Sequence, residues 1–104
     1  MSYRFQLIIQ FDAVTLSDYD ELVGLEDRFA EALGVSACVD GHDFGSGEFN
    51  VSVLTESPRA TFQTISSLLQ SHWSRRPVRA AYRGLDEEKY VSLWPPGATE
   101  FPMT

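Results

Sequence analysis

Residues 4–11 read RFQLIIQF. Phe5, Leu7, Ile9 and Phe11 take alternate positions, and Arg4, Gln6, Ile8 and Gln10 fill the places between. A period of two puts the first set on one side of an extended chain and the second on the other. One side is wholly apolar and the other mostly polar, so the stretch predicts a half-buried strand. The fold turns on it, because such a strand needs an apolar layer to dock against.

Two helical stripes supply that layer. Leu22, Leu25, Phe29 and Leu33 recur at helical spacing, and Gly34 is a natural stop. Asp18 followed by Glu21 has capping-box spacing, with Asp in place of Ser or Thr, and predicts the helix start. Asp20, Glu21, Asp27 and Glu31 fall on the wet side. Ser57-Pro58 predicts a second start, followed by the stripe Phe62, Ile65, Leu68, Leu69 and Trp73, with Pro77 ending the connection.

Further strands are predicted at 35–40 (VSACVD), 49–55 (FNVSVLT), 78–83 (VRAAYR) and 89–94 (KYVSLW). The last two flank a GLDEE turn, and Pro95, Pro96 and Gly97 stop the final one. The order predicts an α+β protein: a ferredoxin-like βαββαβ two-layer sandwich with an additional C-terminal strand. The expected sheet order is 4-1-3-2, with the fifth strand beside the fourth. Residues 1–97 form the expected single domain, and residues 98–104 a C-terminal tail that packs Phe101 or hangs loose.

That topology would gather three segments at one end of the sheet. They carry Asp12, Asp40, His42, Asp43, Glu48, His72, Arg75 and Arg76. The richest is DGHDFGSGE, residues 40–48, expected as a glycine-rich hairpin loop. Asp40, His42, Asp43 and Glu48, with Arg75 and Arg76, are the candidate binding residues. Imidazole with carboxylates suits zinc, manganese or iron, although the spacing matches no established ligand motif. It is neither an EF-hand loop nor a phosphate loop. The structural alternative is a turn in which glycines permit positive φ and Asp43 or Ser46 bonds to turn amides. No metal is assigned, no cofactor is expected and no catalytic residue is named. An acid–base pair of His42 and His72 is a minor alternative. Cys38 lies within a strand and is expected to be buried or inert.

The sheet side away from the helices should show Gln6, Ile8, Gln10, Asn50, Ser52, Arg79, Ala81 and Arg83. Such a polar face can bind a ligand, pair with a second subunit or meet water. It lacks the paired aromatics of RNA-reading sheets.

The 104 residues carry a net charge of −7. Residues 1–52 hold ten acids and two arginines, and residues 53–104 five acids and six basic residues. No broad cationic surface is available for phosphates, so nucleic acid is not an expected partner. An acidic surface can instead steer toward a basic protein. The first apolar stretch is too short and too polar for a signal or membrane span, and a single cysteine forms no internal disulfide. A cytoplasmic location and no membrane partner are therefore expected.

The segments VDGHDFGSGEFNVSVLTESP, RAAYR and YVSLWPPG resemble those of an uncharacterised family of small bacterial hypothetical proteins. The GHDFGSGE hairpin loop is the most specific part. The resemblance implies a compact bacterial cytosolic protein and carries over no catalytic residue.

The leading expectation is a small acidic protein-binding module, immunity- or inhibitor-like toward a basic partner. One alternative is a small metal- or ligand-binding protein or enzyme using the 40–48 hairpin. The other is a homodimeric structural domain built on the polar sheet face or a strand edge.

Overall fold

The structure, a computed structural model, describes residues 3–72 and 79–94, with the backbone alone for 70–72. The elements are β1 (Phe5–Asp12), α1 (Leu16–Leu33), β2 (Ala37–Gly45), β3 (Glu48–Thr55), α2 (Pro58–His72), β4 (Arg79–Gly84) and β5 (Val91–Trp94). The protein is α+β, with two helices and a five-stranded antiparallel sheet ordered β2-β3-β1-β4-β5. Trp73, Arg75, Arg76, Pro77 and the expected 98–104 tail lie outside the described residues.

β1 is central, and from Leu7 to Phe11 it is buried on both sides rather than half-buried as its alternation predicts. It pairs with β3 from Phe5↔Thr55 to Asp12↔Glu48, and with β4 from Phe5↔Gly84 to Gln10↔Arg79. Leu7, Ile9 and Phe11 are fully buried beneath Leu22, Leu25 and Phe29 of α1 and Ile65 and Leu69 of α2. Phe49, Val51 and Val53 of β3 complete the core. The Phe11 and Phe29 rings stack with centroids 6.5 Å apart.

Helix α1 starts earlier than predicted. Its N-cap is Thr15, whose Oγ1 accepts from the Asp18 N–H at 3.1 Å, while Asp18 Oδ2 accepts from the Thr15 N–H at 3.1 Å. Asp18 is thus the distal partner of a capping box rather than the cap. The sequence holds two overlapping box spacings, and the one with a hydroxyl cap prevails. The stop at Gly34 is as expected: its φ of 55° suits a residue without Cβ, and its N–H bonds Ala30 O at 3.1 Å. Pro58 opens α2. Beside it the buried Thr55 and Thr61 hydroxyls bond at 2.7 Å, and Thr55 Oγ1 accepts from the Ser57 N–H at 3.0 Å. This hydroxyl pair locks the end of β3 to the first turn of α2.

The 40–48 stretch is mostly strand rather than loop. β2 runs on to Gly45, β3 begins at Glu48, and only Ser46 and Gly47 turn the chain. Their φ values of 55° and 78° are both left-handed, as a tight two-residue hairpin requires. The register shifts between Val39 and Gly41, which leaves Asp40 in a β-bulge. The expected period of two breaks there, which hides the strand from a sequence reading.

The second sheet side is less open than expected. Ile8, Gln10 and Ala81 are only 4%, 1% and 0% exposed. Arg83 donates from Nη1 to the backbone oxygens of Gly84, Leu85 and Glu87, and from Nε to Gln6 Oε1 at 3.0 Å. It thereby draws the β4–β5 connection toward β1. β5 itself is shorter than predicted and starts at Val91.

Candidate functional site at the hairpin end

The β2–β3 turn and the β1–α1 connection meet at one end of the sheet, where the Ala13 N–H bonds Gly47 O at 3.0 Å. The pleat then divides the candidate residues between two sides. His42 opposes Val51 and faces the helices, whereas Asp43 opposes Asn50 on the other side. Glu48 joins Asp43 on that second side, because its neighbour Phe49 points into the core. Asp40 sits in the bulge. The His42 ring and the Asp43 and Glu48 carboxylates therefore start from opposite sides of the pleat, although His42 and Asp43, neighbours on edge strand β2, border the same hollows. Arg75 and Arg76 lie outside the described residues, as does the His72 side chain. Among the described residues no three His, Cys, Asp or Glu side chains come together.

His42 has a partner on each nitrogen. Nδ1 lies 2.8 Å from Glu26 Oε1, and Nε2 lies 3.3 Å from the Tyr19 hydroxyl. The imidazole stacks on Phe49 with centroids 4.7 Å apart and planes 19° apart. With a neutral ring, Nδ1–H donates to the carboxylate and Nε2 accepts from Tyr19; with a charged ring, both nitrogens donate. The His42 and Glu26 side chains are 24% and 12% exposed. Sequence reasoning missed Glu26 and Tyr19. Both flank the apolar stripe of α1, with Glu26 next to Leu25 and four residues from Leu22. An acid on the border of a buried stripe was the available signal.

On the other side, two polar rows cross the sheet. In one, Ser52 Oγ accepts from Gln6 Nε2 at 2.9 Å, and Gln6 Oε1 accepts from Arg83. In the other, Gln10 Nε2 donates to Glu48 at 2.6 Å and Asn50 at 3.1 Å, and Gln10 Oε1 accepts from Arg79 at 2.7 Å. Gln6, Gln10, Asn50, Arg79 and Arg83 thus bind one another across β3, β1 and β4. Gln10 separates Glu48 from Arg79, so opposite charges are bridged by a buried amide. Cys38 is a free, exposed thiol on edge strand β2 rather than a buried one.

The hairpin end also exposes apolar surface. Val14 is 79% exposed, Leu16 78% and Phe44 39%. Leu16, Tyr19 and Phe44 line a shallow hollow of about 400 Å³ together with His42 and Asp43. The Tyr19 ring lies 5.0 Å from Phe44 and 5.9 Å from Phe49, so the patch rests on the core. No helix among the described residues is long and apolar enough to cross a membrane. The chain matches no family model, no curated protein and no solved structure.

Proposed function

We propose that the protein is a small acidic protein-binding module that engages a basic partner through the hairpin end. We read its architecture as ferredoxin-like, a reading that the strand order β2-β3-β1-β4-β5 with two helices supports. The observation that carries the function is the exposed apolar group Val14, Leu16 and Phe44 beside Tyr19. Exposed apolar clusters rimmed by polar groups mark interaction surfaces. Here Asp43 borders the hollow, and the exposed Asp20 stands one turn beyond Leu16 on α1. Burying Leu16 or Phe44 against a partner would contribute about 1.5–3 kcal/mol each. The acids would speed encounter and select a cationic surface. An immunity- or inhibitor-like role in the cytoplasm is the concrete form of this reading.

Affinity capture with wild type and with Leu16→Ala and Phe44→Ala variants tests it. The expected result is a basic protein retained by wild type, held at least about tenfold more weakly by each variant and more weakly again at high salt. Sedimentation of the chain alone identifies the case in which the partner is a second copy. A captured protein that both variants hold as tightly as wild type would place the contact elsewhere.

The Glu26–His42–Tyr19 relay supports a second reading, a small ligand-binding protein or enzyme. A carboxylate that orients an imidazole against a hydroxyl is the arrangement general acid–base chemistry uses. Elemental analysis, a divalent-metal calorimetric screen and a hydrolytic substrate panel test it. An activity that survives unchanged in His42→Ala would remove this relay from consideration.

A further inference from the structure

Strand β2 forms one edge of the sheet and pairs with β3 alone. The hairpin fixes which of its backbone groups are left over. Across a two-residue turn the flanking residues, here Gly45 and Glu48, exchange both ladder bonds, and bonded and non-bonded pairs then alternate along the strands. Asp43↔Asn50 and Gly41↔Ser52 are therefore bonded pairs, and Phe44↔Phe49 and His42↔Val51 are not. In a non-bonded pair the N–H and C=O point away from the partner strand. The N–H and C=O of His42 and of Phe44 thus line the outer edge of β2, and among the described residues no other segment bonds them.

The same stretch carries the exposed apolar surface. His42 and Phe44 lie on the helix side of β2, where Phe44 borders the hairpin-end hollow with Leu16 and Tyr19. Asp43, between them, starts from the other side of the pleat. A strand laid along this edge alternates in the same way. Its residues opposite His42 and Phe44 would meet the apolar surface, and those between would meet Asp43. The bulge at Asp40 ends the regular edge, which leaves residues 41–45 for pairing. β2 is nine residues long, whereas β5, at the opposite edge, has only four.

We propose that the basic partner docks by strand addition: an extended segment of alternating apolar and basic residues lengthens the sheet along residues 41–45 of β2. The docking mode rests on the protein-binding reading above and adds to it the kind of segment that the surface accepts. Backbone bonds to His42 and Phe44 set the register. The apolar side chains of the segment cover Phe44 and Leu16, and its basic ones meet Asp43. Charge argues against a second copy of this chain as the occupant. Two β2 edges laid together would juxtapose two copies of the acidic 40–43 stretch in molecules of net charge −7 each.

The test is a titration of isotope-labelled protein at low salt, read by amide chemical shifts and hydrogen exchange. The probe is a heptapeptide of alternating lysine and valine with blocked ends. Saturable shifts along residues 41–45, with slower exchange of the His42 and Phe44 amides, are expected. Leu16→Ala and Phe44→Ala should each weaken binding at least about fivefold. Both side chains are exposed, so the variants keep the fold, and unchanged shifts at core amides verify it. Two N-methylated peptides read the geometry. Methylating the valines removes the donors that an antiparallel addition aims at β2, and methylating the lysines removes those of a parallel one. One of the two should lose at least about tenfold in affinity while the other still binds. Equal effects of the two methylations, shifts confined to β5, no saturable binding, or equal binding of a glutamate–valine peptide would overturn the proposal. So would a dimer of the chain alone that protects the same amides. A captured basic protein that Leu16→Ala and Phe44→Ala release, but that leaves exchange of the His42 and Phe44 amides unchanged, would overturn strand addition and keep the protein-binding surface.

Discussion

Glu26 and Thr55 show how much single polar atoms do inside this small protein. Among the described residues, Glu26 is the carboxylate that ties down the His42 imidazole, at 2.8 Å. Because His42 is partly exposed, water can replace a lost partner. Glu26→Ala should therefore lower unfolding free energy by about 1 kcal/mol, and Glu26→Gln by less. Urea melts of the two variants check this; a zero effect in both would make the contact incidental. Thr55 is a harsher case, being 1% exposed and bonded to Thr61. Thr55→Val leaves both the Thr61 hydroxyl and the Ser57 N–H short of a partner, at a cost of about 1–3 kcal/mol. The same melts read it, and a loss under half that range would mean the hydroxyls are hydrated instead. Neither residue was legible as a tie in the sequence. Glu26 reads as one more surface acid until β2 is laid beside α1, and Thr55 reads as an ordinary strand end.

Elements follow their periodicity wherever it runs unbroken. Leu22, Leu25, Phe29 and Leu33 are the buried residues of α1, and the alternation in β3 matches its burial, whereas β1 is buried on both sides from Leu7 to Phe11. The 40–48 stretch failed because a bulge breaks the period and glycines imitate a loop. The start of α1 failed because Thr15/Asp18 and Asp18/Glu21 offer the same spacing one turn apart. The site suffered most from this: once β2 continues, His42 and Asp43 must part company across the pleat. Three element-scale outcomes are expected. Thr15→Ala should cost about 1 kcal/mol. Ser46→Asn should gain about 0.5–1 kcal/mol, since Ser46 sits at φ 55° and asparagine tolerates the left-handed region better. Gly24 is exposed within α1, and an added Cβ would meet nothing within 4 Å, so Gly24→Ala should gain about 1 kcal/mol. Thermal melts settle all three, and a destabilised Gly24→Ala would mean that the helix needs the glycine.

At the scale of the whole molecule, the net charge of −7 is spread over 104 residues and concentrated in the first half. Self-repulsion among these acids opposes compaction and is screened by salt. The melting temperature should therefore rise between 10 mM and 500 mM sodium chloride, and a flat response would show that local pairs already cancel the repulsion. The position of β1 has a different consequence. It leaves the ribosome before its partners, which begin 36 residues after Asp12 on one flank and 67 on the other, at Glu48 and Arg79. Until both have been synthesised, Leu7, Ile9 and Phe11 travel as a bare adhesive ribbon, and a growing chain halted before Arg79 keeps one flank of that ribbon open to any neighbour.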